Sequence, residues 1–145
     1  GGSIVASVLN IKNTKLEKLD VQNYSNMLNC VLKANATSLL NSCNYVGLGG
    51  LATTLFKMSF VNNIGCAVEK QVNKCELFSE NYSFVVEVSE KNSSDFEKML
   101  NKNKCSYKQI GKTNDSNKIV VKNFIDLNIN QTKKIWKNAL RKKLQ

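Results

Sequence analysis

Three glycines fall within four positions, Gly47-Leu48-Gly49-Gly50, directly ahead of Leu51-Ala52-Thr53-Thr54-Leu55-Phe56-Lys57-Met58, whose apolar residues recur at helical spacing. A glycine-rich turn that opens a helix directs free backbone N–H groups outward, and the helix dipole adds a field that favours an anion. The chemistry on offer is phosphate binding. Gly47, Gly49 and Gly50 would let the backbone approach the anion, and Thr53 in the first helical turn would add a hydroxyl donor. The same glycines also suit any turn that needs positive φ, and threonine is an ordinary first-turn residue, so both readings stand at this point. Further on, Leu77-Phe78-Ser79-Glu80 places a hydroxyl and a carboxylate just ahead of the alternating stretch Phe84-Val85-Val86-Glu87-Val88.

These residues need elements to hold them. Ser3 precedes the apolar residues Ile4, Val5, Val8 and Leu9, where an N-cap belongs, so a short helix is expected through Asn10. Gly1-Gly2-Ser3 also has the composition of a linker. Asp20 or Asn23 should cap a long helix running to about Leu40, with Tyr24, Met27, Leu28, Val31, Leu32 and Leu39 on its apolar side. Residues 41–50 are expected as loop and turn, followed by a helix to about Val61 that Asn62-Asn63 stops. Ile64 to Glu69 and Ser83 to Ser89 are predicted strands. Ser93 or Ser94 should cap a helix from Asp95 to Lys102. Segments 107–112 and 118–122 flank Asn114-Asp115-Ser116-Asn117 and are predicted to form a hairpin. The last helix, Gln131 to Leu144, carries Trp136, Leu140 and Leu144 every four residues, a stripe expected to be buried with its lysines facing water. With no repeat, low-complexity tract or linker, residues 1–145 are expected to form one α+β domain, a mixed sheet covered by helices.

Composition narrows the function classes. There are 145 residues, 42% hydrophobic, enough for one domain with a core. No apolar run is long enough to span a membrane, and no basic stretch followed by an apolar segment opens the chain, so neither a membrane span nor a secretory signal is expected and the location read is cytoplasmic. There is no histidine, which removes any Ser/His or Cys/His nucleophile. Cys30, Cys43, Cys66, Cys75 and Cys105 are odd in number and widely spaced without a CxxC, so they read as free thiols, with Cys30 and Cys66 as small core residues, and no metal site is expected. Asp20, Glu69 and Asp126 show no paired spacing suited to acid/base work. The net charge of +10 raises a nucleic-acid partner, but lysine and asparagine are spread along the chain without an aromatic-basic platform, so none is expected.

Taken in order, the pieces resemble a known family. Gly1-Gly2-Ser3-Ile4-Val5-Ala6, the glycine-rich turn, Ile64-Gly65, Leu77 to Glu80, Phe84 to Val88, Ile110-Gly111 and Lys134-Ile135-Trp136-Lys137-Asn138-Ala139-Leu140 follow the sequence of the C-terminal domain of the AIR synthase superfamily. Leu-Phe-Ser-Glu makes the chain most similar to phosphoribosylformylglycinamidine (FGAM) synthase, the ATP- and glutamine-dependent, amidine-forming ligase of purine biosynthesis. The resemblance implies that Ser79 and Glu80 lie near substrate, although a plain helix-to-strand connection suits them equally. Where the family turn reads His-Asp-x-Ser-Asp, this chain has Asn44-Tyr45-Val46-Gly47-Leu48, which offers Mg²⁺ no carboxylate. The domain is therefore expected to bind no cofactor and to be inactive alone, with ATP and Mg²⁺ belonging to the whole enzyme. Implied partners are the upstream catalytic half, a glutaminase subunit and a small third subunit. The competing reading is a phosphate- or nucleotide-binding regulatory module of another member of the superfamily.

Overall fold

The computed structural model describes residues 3–11, 18–70 and 72–144, so Gly1 and Gly2 of the opening motif lie outside the described residues. Twelve elements follow one another: α1 (Ile4–Val8), α2 (Val21–Ala36), β1 (Leu40–Tyr45), α3 (Gly50–Phe60), β2 (Gly65–Val68), α4 (Lys74–Phe78), β3 (Phe84–Val88), α5 (Glu90–Lys102), β4 (Gly111–Asn114), β5 (Lys118–Val121), β6 (Ile125–Asn128) and α6 (Ile129–Lys143). The class is α+β, as expected. The chain forms two compact units, one of the residues up to Thr54 with Phe78–Lys108, the other of Leu55–Leu77 with the residues from Gln109 onward.

In the first unit, α1 and α2 start on side-chain caps. Ser3 Oγ accepts from the Ala6 N–H at 3.2 Å, and Asp20 Oδ1 accepts from the Asn23 N–H at 2.9 Å. Helix α2 stops at Ala36 rather than near Leu40, because Ser38 turns into the left-handed region (φ 55°) and the Leu39 N–H returns to the Ala34 carbonyl at 2.9 Å. The core packs Cys30 and Ala34 of α2 against Phe96 and Leu100 of α5 and Cys105, with Val86 and Val88 of β3 alongside. Leu32, expected on the apolar side of α2, is exposed. The segment expected as loop is in fact strand β1, antiparallel to β3 with Tyr45 opposite Phe84 and Cys43 opposite Val86. Asparagine and serine are poor strand formers, and the β-branched partner strand supplies the order they lack. Helix α5 begins at Glu90 with Ser89 in the capping position, one turn before the expected Ser93 or Ser94. Asn92 in its first turn donates to the Ser38 carbonyl at 3.3 Å.

The second unit holds a mixed four-stranded sheet of order β4-β2-β5-β6, in which β2 runs parallel to β5 and antiparallel to β4. The hairpin expected of β4 and β5 is therefore corrected, since β2 lies between them. The connection crosses the end of β2, where a Cβ on Gly65 would stand 2.7 Å from the Lys118 carbonyl and 2.6 Å from Asn114 Oδ1. That crossing is the physical reason for the glycine. Asn63, at φ 54°, ends α3 as expected. Two short elements carried no periodic signal: β6, and α4, which an Asn73–Glu76 capping box initiates through reciprocal 2.9 Å bonds.

Helix α6 departs most from expectation. Ile129 at its start is fully buried, but Trp136 is 54% exposed and Leu144 is 78% exposed, while the Leu140 side chain lies outside the described residues. Trp136 meets Phe60 edge-on at 6.2 Å between ring centroids, and Lys57 stands 5.9 Å above its ring. Lys133 does not simply face water. Its Nζ donates to the Phe60 carbonyl at 2.6 Å, placing a cation on the C-terminal end of α3. Because Phe96 is buried in a shared core and Trp136 is half in solvent, Phe96→Ala should cost about 3–5 kcal/mol and Trp136→Ala about 1 kcal/mol. Urea unfolding of the two variants checks this, and equal losses would contradict the placement of α6.

Candidate functional site

The glycine-rich turn grows out of β1. Beyond Tyr45 the ladder to β3 is prolonged by the Val46 N–H, which donates to the Ser83 carbonyl at 2.7 Å, and the chain then reverses as the Gly50 N–H donates to the Gly47 carbonyl at 2.9 Å. Gly49 and Gly50 have φ of 84° and 69°, the left-handed region that favours glycine. A side chain at Gly49 would also run into Thr53. Both residues are buried, so the turn is held closely rather than hanging in solvent.

The anion at this turn comes from the chain itself. Glu80 Oε1 accepts from the Gly49 N–H at 2.9 Å and from the Ile4 N–H at 2.8 Å, so one carboxylate oxygen joins the start of α1 to the turn that opens α3. A carboxylate is favoured at a helix start for the same reason as a phosphate, because it meets N–H groups that have no partner within the helix. Of the residues expected to cradle a phosphate, Gly49 thus has its N–H on Glu80. Thr53 Oγ1 donates back to the Gly49 carbonyl at 3.2 Å, and Thr54, almost fully buried, donates to the Gly50 carbonyl at 3.0 Å. Ser79 is half-buried beside Glu80 in sequence. Glu80 and the turn are brought together.

A cleft of about 370 Å³ opens alongside, bounded by Gly47 and Glu80 and walled by Tyr24, Tyr45, Tyr82 and Phe84. The Tyr24 ring meets Tyr82 edge-on at 5.8 Å and lies nearly parallel to Phe84 at 6.4 Å. Sequence reasoning placed Tyr24 in a helix core and did not foresee this aromatic wall. Its signal lay in the register: Tyr45 and Phe84 are directly opposed across β1 and β3.

The other groups noted from sequence have structural places. Asp20 caps α2, and Asp126 pairs with the exposed Lys118 at 3.1 Å across β5 and β6. Cys30 and Cys66 are buried as expected, and burial pushes the Cys66 thiol up from its ordinary value. Among the described residues no group of three or more Cys, Asp or Glu side chains is placed to hold a metal ion, and no helix is long and apolar enough to cross a membrane.

Residues 1–122 match the family described as AIR synthase related protein, C-terminal domain. Two relatives, both phosphoribosylformylglycinamidine synthase subunit PurL, are 30% identical: that of Campylobacter lari over 83% of this chain and that of Campylobacter concisus over 94%. The chain spans only 17% and 18% of their respective lengths. Among solved structures, phosphoribosylformylglycinamidine synthase II of Thermotoga maritima superposes with a TM-score of 0.65 at 15% identity, covering 79% of this chain and 22% of that one. The PurLQS structure from the same organism gives 0.66 at 15% identity, with 79% and 22% covered. At such identities the likeness is one of fold.

Because Glu80 serves two N–H groups, its removal should loosen both helix starts. Glu80→Ala is expected to cost about 1–3 kcal/mol, the range for removing a charged hydrogen-bond partner, with most of the loss at the part-buried Gly49 N–H and little at the exposed Ile4 N–H. Amide exchange at Gly49 and Ile4 should accelerate together. A loss below about 0.5 kcal/mol with protection unchanged at both amides would contradict the pairing.

Proposed function

From the premise that this chain belongs to the family of AIR synthase related proteins, C-terminal domain, we propose that it is the C-terminal module of a phosphoribosylformylglycinamidine synthase, acting as a single domain. The observation that carries this reading is the alignment with two PurL relatives at 30% identity over most of this chain but under a fifth of theirs. The whole enzyme would use ATP, Mg²⁺ and glutamine-derived ammonia to convert formylglycinamide ribonucleotide into its amidine, as a cytoplasmic ligase of purine biosynthesis. Its partners would be the upstream catalytic half, a glutaminase subunit and a small third subunit. PurLQS of Thermotoga maritima supports an assembly of that kind.

Within that enzyme the module's part is structural. Phosphorylating an amide oxygen needs Mg²⁺ ligands and donors gathered around the γ-phosphate, and Tyr45, Gly47 and Leu48 bring no carboxylate to the turn. The cradle of Gly47, Gly49, Gly50 and Thr53 keeps its shape by holding Glu80 on the Gly49 N–H. This favours the structural reading over a phosphate-binding regulatory module, because a phosphate would have to displace a carboxylate already bonded to Gly49.

The chain by itself should form neither amidine nor ADP when given formylglycinamide ribonucleotide, Mg·ATP and ammonia. Turnover should appear only when the upstream half is supplied in cis or in trans. Calorimetry should detect no Mg²⁺-dependent ATP binding tighter than about 1 mM, a level that corresponds to about −4 kcal/mol. Micromolar binding, or turnover by a pure sample, would overturn the assignment.

A further inference from the structure

Two thiols meet in the core of the first unit. Cys30, on α2, and Cys105, just beyond the end of α5, have their Sγ atoms 3.3 Å apart and are 1% and 5% exposed. The position of Cys105 is fixed by the way α5 ends: Lys104 takes a left-handed turn at φ 54°, and the Cys105 N–H returns to the Leu100 carbonyl at 3.0 Å. Ala34, Phe96 and Leu100 complete the surroundings of the pair. A disulfide needs its sulfurs about 2.05 Å apart, so roughly an ångström of side-chain movement separates the present contact from a bond.

We propose that Cys30 and Cys105 are a peroxide-responsive pair that closes into a disulfide, joining α2 to the end of α5. Hydrogen peroxide is the oxidant this site suits, because it is small enough to reach a closely packed interior. Cys105, the more accessible of the two at 5% exposed against 1%, reacts first. Burial, together with its neighbour Cys105, pushes the Cys30 thiol up to about 11, so Cys30 keeps its proton at neutral pH. Cys105 sulfur gives up its proton and attacks one peroxide oxygen, an S–O bond forms, the O–O bond breaks, and the departing hydroxide takes up that proton to become water. Cys30 sulfur then gives up its proton and displaces the oxygen of the Cys105 sulfenic acid, forming the S–S bond and releasing a second water. Two thiols lose two electrons and two protons, and one peroxide becomes two waters. A partner sulfur already in contact captures the sulfenic acid before further oxidation. Cys43 and Cys75 are exposed and have to be blocked to see this reaction alone.

The test uses the full chain, folded and first alkylated at its exposed thiols, then treated with a few equivalents of hydrogen peroxide and digested with trypsin without reduction. The expected product is the peptide of residues 19–33 joined to that of residues 105–108, about 2 Da lighter than the two free peptides combined and released by dithiothreitol. The oxidised protein should melt roughly 5 °C or more above the reduced one, since the bond closes a long loop. In Cys105→Ser the linked peptide and the rise in melting temperature should both vanish. Recovery of Cys30 and Cys105 as free thiols, a sulfinic acid at Cys105 with Cys30 unreacted, or a link from Cys30 to Cys66 instead would each overturn the proposal. The wild-type peptide map decides it even if the serine variant folds poorly.

Discussion

A single carboxylate oxygen fixes the geometry around the glycine-rich turn. Glu80 Oε1 takes N–H donors from Gly49 and Ile4, segments that are far apart in sequence, and without it the part-buried Gly49 N–H would lack this acceptor at a helix start. Gly49 and Gly50 can then hold positive φ, α3 can begin directly after β1, and Thr53 and Thr54 can turn their hydroxyls back onto the helix instead of outward. The aromatic cleft depends on the same arrangement, because Tyr45 and Phe84 face one another only in the register that leads into this turn.

On the reading proposed above, such an arrangement is what a phosphate-cradling turn keeps when Tyr45, Gly47 and Leu48 bring Mg²⁺ no carboxylate. The backbone shape that would cradle a phosphate equally cradles a carboxylate, and a carboxylate supplied by the chain is present at every moment without a ligand in solution. A module of the kind proposed, holding its shape inside a larger enzyme, would gain from that permanence.

Much of this was legible in the sequence, and the illegible parts have identifiable causes. Ser3 and Asp20 announced α1 and α2 because caps act locally, and the alternation of Phe84 to Val88 announced β3 for the same reason. The glycine-rich turn and Leu77 to Glu80 were both visible as motifs, but their bond to one another joins distant segments and no local rule specifies it. Strand β1 was hidden because Asn41, Ser42 and Asn44 have little strand preference of their own. The supposed hairpin failed because Asn114 to Asn117 is turn-rich whether it joins neighbouring strands or crosses a third, and only Gly65 hinted at the crossing. Periodicity in α6 misled because spacing states which residues share a face, not what covers that face. Two of its cation contacts, Lys133 on the Phe60 carbonyl and Lys57 over Trp136, reach α3 and so could not be read from α6 alone.

The most direct measurement is a titration of the isotope-labelled protein with inorganic phosphate, following the Gly49 amide by NMR, for the wild type beside Glu80→Gln. If Glu80 is the anion of this turn, the wild-type Gly49 resonance stays in place through about 10 mM phosphate, far above the concentration at which an open anion site of micromolar affinity would saturate. A saturable shift of the wild-type amide at micromolar phosphate, matched in the variant, would show the cradle to be open and would contradict the account.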